Sequence, residues 1–291
     1  MTIPALSIII PTLNEEKYLP TLLTDLSRQT YRDFEVIIVD GHSGDRTVAK
    51  AAPFAHRLPR LTLVDSPVRD VCQQRNQGAK TAQAETLLFL DADNRIEPHF
   101  LLGLKYRQEQ SQADFFTPWV KAEENSLASQ AADTLINLYM ESQKNTLSPF
   151  GVEAAFGANR AKFLKLKGFD RSPYEGARLL KRAVTRKMTF AVFKDPTYSY
   201  SLRRVRKLGT ANALGRYAVT EIYRLLDLEL PKKKAASLYP MKGGNFYEIE
   251  ALRQSFFDNL RAKIKFQKQK DRLTALARSF LFAEEESDPK H

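Results

Sequence analysis

Four short apolar runs recur along the first third of the chain, each too brief for a helix and each stopped by a turn signal. Residues 6–10 (Leu-Ser-Ile-Ile-Ile) end at Pro11-Thr12, residues 34–39 end at Asp40, residues 61–64 form a third run, and residues 87–90 lead straight into Asp91. Runs of this length suit strands: residues 6–10 are β-branched and read as a buried strand, and 87–90 suit a strand buried on both faces. Between them the apolar spacing turns helical. One segment opens at Asn14-Glu15-Glu16 and continues through about Ser27, with Leu19, Leu22, Leu23 and Leu26 on one face. Residues 47–52 start another, and residues 71–82 form a third that carries Arg75 and Asn76. Strand–helix alternation specifies an α/β protein with a mostly parallel central sheet, wrapped right-handedly by flanking helices.

In such a sheet, ligands gather beyond the carboxyl ends of the strands. Asp91-Ala92-Asp93 stands at one of those ends. Two carboxylates one residue apart form an anionic cluster, and a hard divalent cation commonly sits between such oxygens and a substrate's phosphates. A solvated turn is the alternative, because Asp and Asn favour turns. Other nucleotide devices are missing. Pro11-Thr-Leu-Asn stands where a glycine-rich dinucleotide loop would be, and Gly41-His-Ser-Gly-Asp lacks the lysine of a P-loop. No nucleophile elbow of the form G-x-S-x-G occurs.

The formal net charge is +11, and residues 201–291 hold 19 Lys/Arg against 11 Asp/Glu, so +8 of it lies there. That asymmetry points to an anionic partner: a membrane surface, a polyanion or a phosphorylated substrate. A nucleic acid is the poorest fit, since no recognition module is visible and the basic residues are not interleaved with stacking aromatics. Cys72 is the only cysteine, which fits a reducing compartment and a cytoplasmic location. The first residues have no signal-peptide pattern, and no stretch of about 18 residues is free of charge, so no membrane-spanning helix is expected. His42, His56, His99 and His291 are scattered and show no metal-site spacing.

Four motifs carry a resemblance. They are Leu6-Ser-Ile-Ile-Ile-Pro-Thr-Leu-Asn-Glu-Glu, then Val39-Asp-Gly-His-Ser-Gly-Asp-Arg-Thr, then Arg75-Asn-Gln-Gly, then Leu90-Asp-Ala-Asp. In this order and at these intervals the chain resembles family 2 glycosyltransferases, nucleotide-sugar-dependent enzymes of the GT-A fold. Ala158-Asn-Arg and Leu166-Lys-Gly-Phe-Asp resemble the family's acceptor-side segment, and the likeness covers roughly residues 3–210. It implies a GT-A domain over 1–210 that transfers a sugar, with inversion, from a nucleotide diphosphate sugar to an acceptor hydroxyl. Pro11, Thr12, Glu15, Asp40, Arg75 and Asp91 would then bind the nucleotide. Asp93, with Asp91, would hold Mg²⁺ or Mn²⁺. At single positions a structural role competes: Asp40 and Asp45 could each cap a helix. The resemblance also implies a saccharide or lipid-linked acceptor, in cell envelope polysaccharide or glycolipid biosynthesis.

One position departs from the family pattern. After Gly168-Phe-Asp170 the family places a Glu-Asp pair whose aspartate takes the acceptor's proton, and here Glu175 is followed by Gly176. Glycine accepts no proton, so the catalytic base falls to Glu175 or Asp170, with Arg178 beside Glu175 to hold it ionised or to neutralise it. The alternative is a catalytically impaired member of the family acting as a scaffold.

The remaining segments say less. Residues 115–120 read as a strand, and 126–140 as a helix with Leu135, Leu138 and Tyr139 facing in. The small residues of 151–159 either let backbone approach a donor sugar or form a loop. Arg203, Arg204 and Arg206 could reach phosphates or form a solvated basic face. Beyond residue 210 a helical basic extension is expected over 211–283, with helices at 211–230 and 246–282, and then a disordered tail at 284–291. The lysines of 232–234 and 263–270 would let this extension rest peripherally on the inner face of an anionic membrane, or it would pack on its own domain or in a homodimer.

Overall fold

A computed structural model of the chain describes residues 2–123, 126–171 and 174–201. The expected C-terminal helices, their lysine clusters, the arginines at 203–206 and the polar tail lie outside those residues.

The four expected strands form the parallel half of a seven-stranded sheet of order β3-β2-β1-β4-β6-β5-β7. They are β1 (Leu6–Thr12), β2 (Phe34–Asp40), β3 (Leu61–Asp65) and β4 (Thr86–Leu90). Register sets Thr12 level with Asp40, and Asp40 level with Asp65, so the polar strand ends meet along one edge. Beyond β4 the direction reverses: β6 (Ala155–Asn159) runs antiparallel both to β4 and to β5 (Phe115–Ala122). The last strand, β7 (Phe190–Tyr200), pairs parallel with β5.

Helices cover both faces. Ile8, Ile10, Leu88 and Leu90 pack on one side against Leu19, Leu22, Leu23 and Leu26 of α1 (Leu19–Ser27) and Leu101 and Leu104 of α4 (Phe100–Ser111). Ile9, Ile37, Val39, Leu87 and Phe89 pack on the other against Cys72 and Ala79 of α3 (Val71–Thr81). Phe163 of α6 (Arg160–Lys165) and Leu179 and Leu180 of α7 (Glu175–Thr185) complete that side. Burial of both faces is why these strands are continuous apolar runs; each such side chain contributes roughly 1.5–3 kcal/mol.

Three local expectations need correction. Helix α1 starts at Leu19, not at Asn14. Asn14 takes a positive φ of 56°, and the N–H groups of Glu15 and Glu16 donate to Thr47 Oγ1 (2.8 Å) and Asp45 Oδ2 (3.2 Å), at the start of α2 (Thr47–Ala51). Those N–H groups serve a loop at the sheet edge instead of a helix.

Leu135 and Leu138 of α5 (Leu127–Gln143) do not face in; they are 70% and 56% exposed. The helix docks through Ile136 and Met140 and, beside them, through polar groups, since β6 covers β5 only at Phe115 and Phe116. Farther along β5 the backbone needs other partners. Val120 N–H and C=O bond Asn137 (2.9 Å each), and Ala122 N–H donates to Asp133 (2.6 Å). An unpaired buried backbone group costs more than an exposed leucine, so the hydrogen bonds decide which face turns inward.

The small-residue run 151–159 is not simply a loop, because its second half is strand β6. A Cβ at Gly157 would lie 2.0–2.5 Å from the Phe116 ring, so that glycine makes room for an aromatic side chain of the core.

Candidate active site

Residues expected at the nucleotide line the carboxyl ends of β1 and β2. Thr12 Oγ1 donates to Asp40 Oδ1 (2.9 Å), and Ser43 donates to Asp40 through its N–H (2.8 Å) and its hydroxyl (2.6 Å). Gln74 Nε2 spans the adjacent strands, donating to Thr12 O and Val39 O at 2.8 Å each. Pro11, Thr12, Glu15 and Asp40 are all buried. Asp40 therefore anchors the loop after β2, and Asp45 does the same for α2, accepting the Thr47 N–H at 3.0 Å.

A second group gathers at the end of β4. Asp91 donates its N–H to Ala154 O (3.0 Å), and its side chain is 37% exposed; Asp93 is half-buried. Arg75, 3% exposed, enters this group from α3. Its guanidinium bonds Asp91 Oδ1 (2.8 Å) and Glu175 Oε1 (3.0 Å), and it lies 5.5 Å from the centre of the Phe169 ring. Arg75, expected at the nucleotide, is thus the clamp between two carboxylates. The neighbouring motif residues are structural. Asn76 exchanges two 2.9 Å hydrogen bonds with the Phe169 backbone beside Gly168, whose φ is +69°. Gly78 lets α3 approach Ile9, because a Cβ there would lie 2.4 Å from the isoleucine.

The two expected bases separate. Glu175 opens α7, is buried and faces Arg75. Asp170 pairs with Arg182 and, at 3.7 Å, with Arg178. Arg178 therefore serves Asp170, and Arg75 serves Glu175.

Sequence reasoning missed Glu153. Because β6 is antiparallel to β4, with Ala155 opposite Leu90, the residues just before β6 arrive at the end of β4. Glu153 accepts the Gly176 N–H at 3.0 Å, and a Cβ on Gly176 would lie 2.4 Å from Glu153 Oε1. The available signal was a lone acid directly before a run of small, buried residues. Tyr198 of β7 was missed as well; its buried hydroxyl has no hydrogen-bond partner.

Burial and mutual repulsion set the electrostatics. Burial pushes the Glu175 carboxyl above its ordinary value, although Arg75 pulls it down. Burial and then Glu175 push Glu153 up to about 7, against the opposing pull of Arg75. For Arg75 burial acts downward, but Asp91, Glu175 and Glu153 outweigh it and hold the guanidinium above its ordinary value. Burial, with Asp91, Glu153 and Asp93 nearby, raises the Tyr198 phenol well above its usual range. Among the described residues no three His, Cys, Asp or Glu side chains converge to hold a metal unaided. Nor is any helix among them long and apolar enough to cross a membrane.

A sheet of this order, with acids at the end of its central strand, defines the GT-A glycosyltransferase fold. The pattern of glycosyl transferase family 2 matches residues 7–173, and the chain belongs to that family. A Mycobacterium tuberculosis protein named PGL/p-HBAD biosynthesis glycosyltransferase is 42% identical over 97 residues, 33% of this chain and 38% of the relative. The chain thus spans well under half the length of the curated relatives it matches. Among solved structures, the mannosyltransferase PcManGT of Pyrobaculum calidifontis, in complex with GDP-Man and Mn²⁺, superposes with a TM-score of 0.59 at 16% identity. That match covers 98% of this chain and 89% of the other. S. aureus TarS 1-349 in complex with UDP-GlcNAc gives 0.51 at 20% identity, covering 80% of this chain and 70% of the other. At these identities the likeness to the solved structures is one of fold.

Proposed function

We propose that the chain is an inverting glycosyltransferase that moves a sugar from a nucleotide diphosphate sugar to an acceptor hydroxyl. The observation that carries this reading is the convergence of Asp91, Arg75 and Glu175 beside Asp93, next to the Thr12–Asp40 edge. The first two strand ends, with Pro11, Thr12, Glu15 and Asp40, would receive the nucleoside. Asp91 and Asp93 stand where the diphosphate would lie. Two carboxylates, with no third ligand converging on them among the described residues, suit Mg²⁺ or Mn²⁺ arriving with the donor, because such ions complete their shell from phosphate oxygens and water. Held there by Asp93 and Asp91, the ion would offset charge on the leaving diphosphate. Two solved neighbours carry GDP-Man with Mn²⁺ and UDP-GlcNAc, which supports this donor class.

Arg75 keeps Asp91 and Glu175 in fixed positions. The acceptor side lies at the start of α7, where Glu175 meets Arg75, rather than at Asp170, which points to Arg182 and Arg178 instead. A saccharide or lipid-linked acceptor in cell-envelope polysaccharide or glycolipid synthesis fits the biosynthetic role in the mycobacterial relative's name. A cytoplasmic protein whose basic residues beyond 201 touch the inner membrane face would meet such an acceptor. The extension's other use would be to pair two copies of the chain.

The test is a thermal-shift panel of UDP, GDP, UDP-glucose, UDP-GlcNAc and GDP-mannose, with and without Mn²⁺. A ligand of the folded state stabilises it by mass action, ~2.7 kcal/mol at a hundredfold excess over Kd. At least one nucleotide should raise the melting temperature, and more so with Mn²⁺. No shift with any of them would refute the reading.

A further inference from the structure

We propose that Glu153 is the proton acceptor for the incoming hydroxyl, seated in space that Gly176 leaves open, with Arg75 and Glu175 as its positioning partners. This rests on the glycosyl-transfer reading of the site. Three observations support it, and the first is steric. A Cβ at Gly176 would lie 2.4 Å from Glu153 Oε1, 2.6 Å from its Cγ and 2.8 Å from its Cδ. The Glu153 carboxylate thus fills the volume that any side chain at 176 would need. Where the family pattern places an aspartate on the helix, this chain brings a carboxylate to the same spot from the segment before β6.

The second observation is orientation. The Gly176 N–H, in the first turn of α7, donates to Glu153 Oε1 at 3.0 Å and aims the carboxylate. Arg75 also reaches the Glu153 backbone carbonyl (3.5 Å), so one guanidinium ties the Glu153 backbone to Asp91 and Glu175.

The third is the commitment of the other acids. Asp91 and Glu175 share Arg75, and Asp170 has Arg182 and Arg178, whereas the Glu153 carboxylate makes no ion pair among the described residues. A carboxylate paired with arginine is stabilised as the anion and is the weaker base. Glu153 is half-buried and faces Glu175 and Tyr198 as well as Arg75. Burial and the Glu175 charge bring its carboxyl up to about 7, the range in which a general base works best near neutrality.

The step balances simply. The acceptor's O–H proton passes to a Glu153 oxygen, and the acceptor oxygen bonds the anomeric carbon. The bond from that carbon to the diphosphate oxygen breaks, and its electron pair leaves with the nucleoside diphosphate.

The experiment measures nucleoside diphosphate release from UDP-glucose, UDP-GlcNAc and GDP-mannose with Mn²⁺, using water and free monosaccharides as acceptors. It compares the full chain with Glu153→Gln, Glu153→Ala and the double variant Glu153→Ala/Gly176→Asp. Binding of UDP and GDP is followed by calorimetry on the same proteins. Glu153→Gln should bind nucleotide within about threefold of the parent and release product about 100-fold more slowly, the lower scale for a positioned base. The double variant puts a carboxylate back into the vacated space and should regain about tenfold over Glu153→Ala, the scale of a partly repositioned base. A Glu153→Gln protein that releases product at the parental rate overturns the proposal. So does a folded double variant no faster than Glu153→Ala, and so does a parent that binds nucleotide but releases none. If the double variant fails to fold, Glu153→Gln decides alone. A parent that binds neither UDP nor GDP refutes the underlying reading of the site, and the assignment of Glu153 falls with it.

Discussion

Replacing Glu153 by glutamine should stabilise the protein at alkaline pH while silencing it. The Glu153 carboxyl is raised from 4.5 to about 7, by burial first and by Glu175 second. A folded-state value above the unfolded one means that Glu153 stabilises the fold below pH 4.5 and loses that contribution as pH rises through about 7. The rise of about 2.5 at 1.36 kcal/mol per pH unit sets an upper bound of about 3.4 kcal/mol, and partial access to water reduces it to ~1–3 kcal/mol. Glutamine keeps the shape and an oxygen for the Gly176 N–H but carries no charge. Urea unfolding of parent and Glu153→Gln at pH 5, 6.5 and 8 would read the difference directly. The two should lie closest at pH 5, where about a quarter of the effect is present, and diverge by ~1–3 kcal/mol in favour of glutamine at pH 8, equivalent to a few degrees in Tm. A gap independent of pH, or a glutamine variant less stable at pH 8, would show that Glu153 is an ordinary structural acid. Gained stability with lost turnover is the pattern of a group held for function at a cost to the fold.

Asp93→Ala should abolish the Mn²⁺-dependent part of nucleotide binding and leave the melting curve of the free protein unchanged; calorimetry with unaltered affinity would remove Asp93 from the metal. Asp40→Ala removes the acceptor for Thr12 and for both donors of Ser43, so UDP or GDP alone should weaken about as much as the full donor. Weakening of the sugar-bearing donor alone would contradict that assignment. Gly157→Ala forces a methyl into the Phe116 ring and should destabilise by ~1–3 kcal/mol or more in urea, with a neutral result refuting the packing argument. The full chain should sediment with anionic vesicles at low salt and release as salt rises, as the lysines at 232–234 and 263–270 suggest; no binding at low salt would leave packing or pairing as their role.

The first four strands and α3 could be read from the chain because their signals are local: short apolar runs, buried throughout in β1, β2 and β4 and only partly in the edge strand β3, and a helical apolar period. The same holds for Asp91 and Asp93, which follow a strand and so must lie at its carboxyl end. Polar demand overrode apolar pattern twice. Residues 14–16 gave their N–H groups to the loop before α2 and to its first residue, and α5 turned Asp133 and Asn137 toward β5 in place of Leu135 and Leu138. Strand β6 was hidden for another reason. Its sequence, Ala-Phe-Gly-Ala-Asn, has weak strand propensity, and it is a strand because β4 and β5 pair with it and the Phe116 ring fills the place of a side chain at Gly157. The reversed direction of β6 carries Glu153 to the end of β4, and the loop into α7 carries Glu175 to an arginine 100 residues earlier. The sequence by itself determined which acids stand at strand ends. Only the tertiary structure decided which acid is clamped by Arg75 and which occupies the space left by Gly176, because both depend on pairing and packing between segments far apart in the chain.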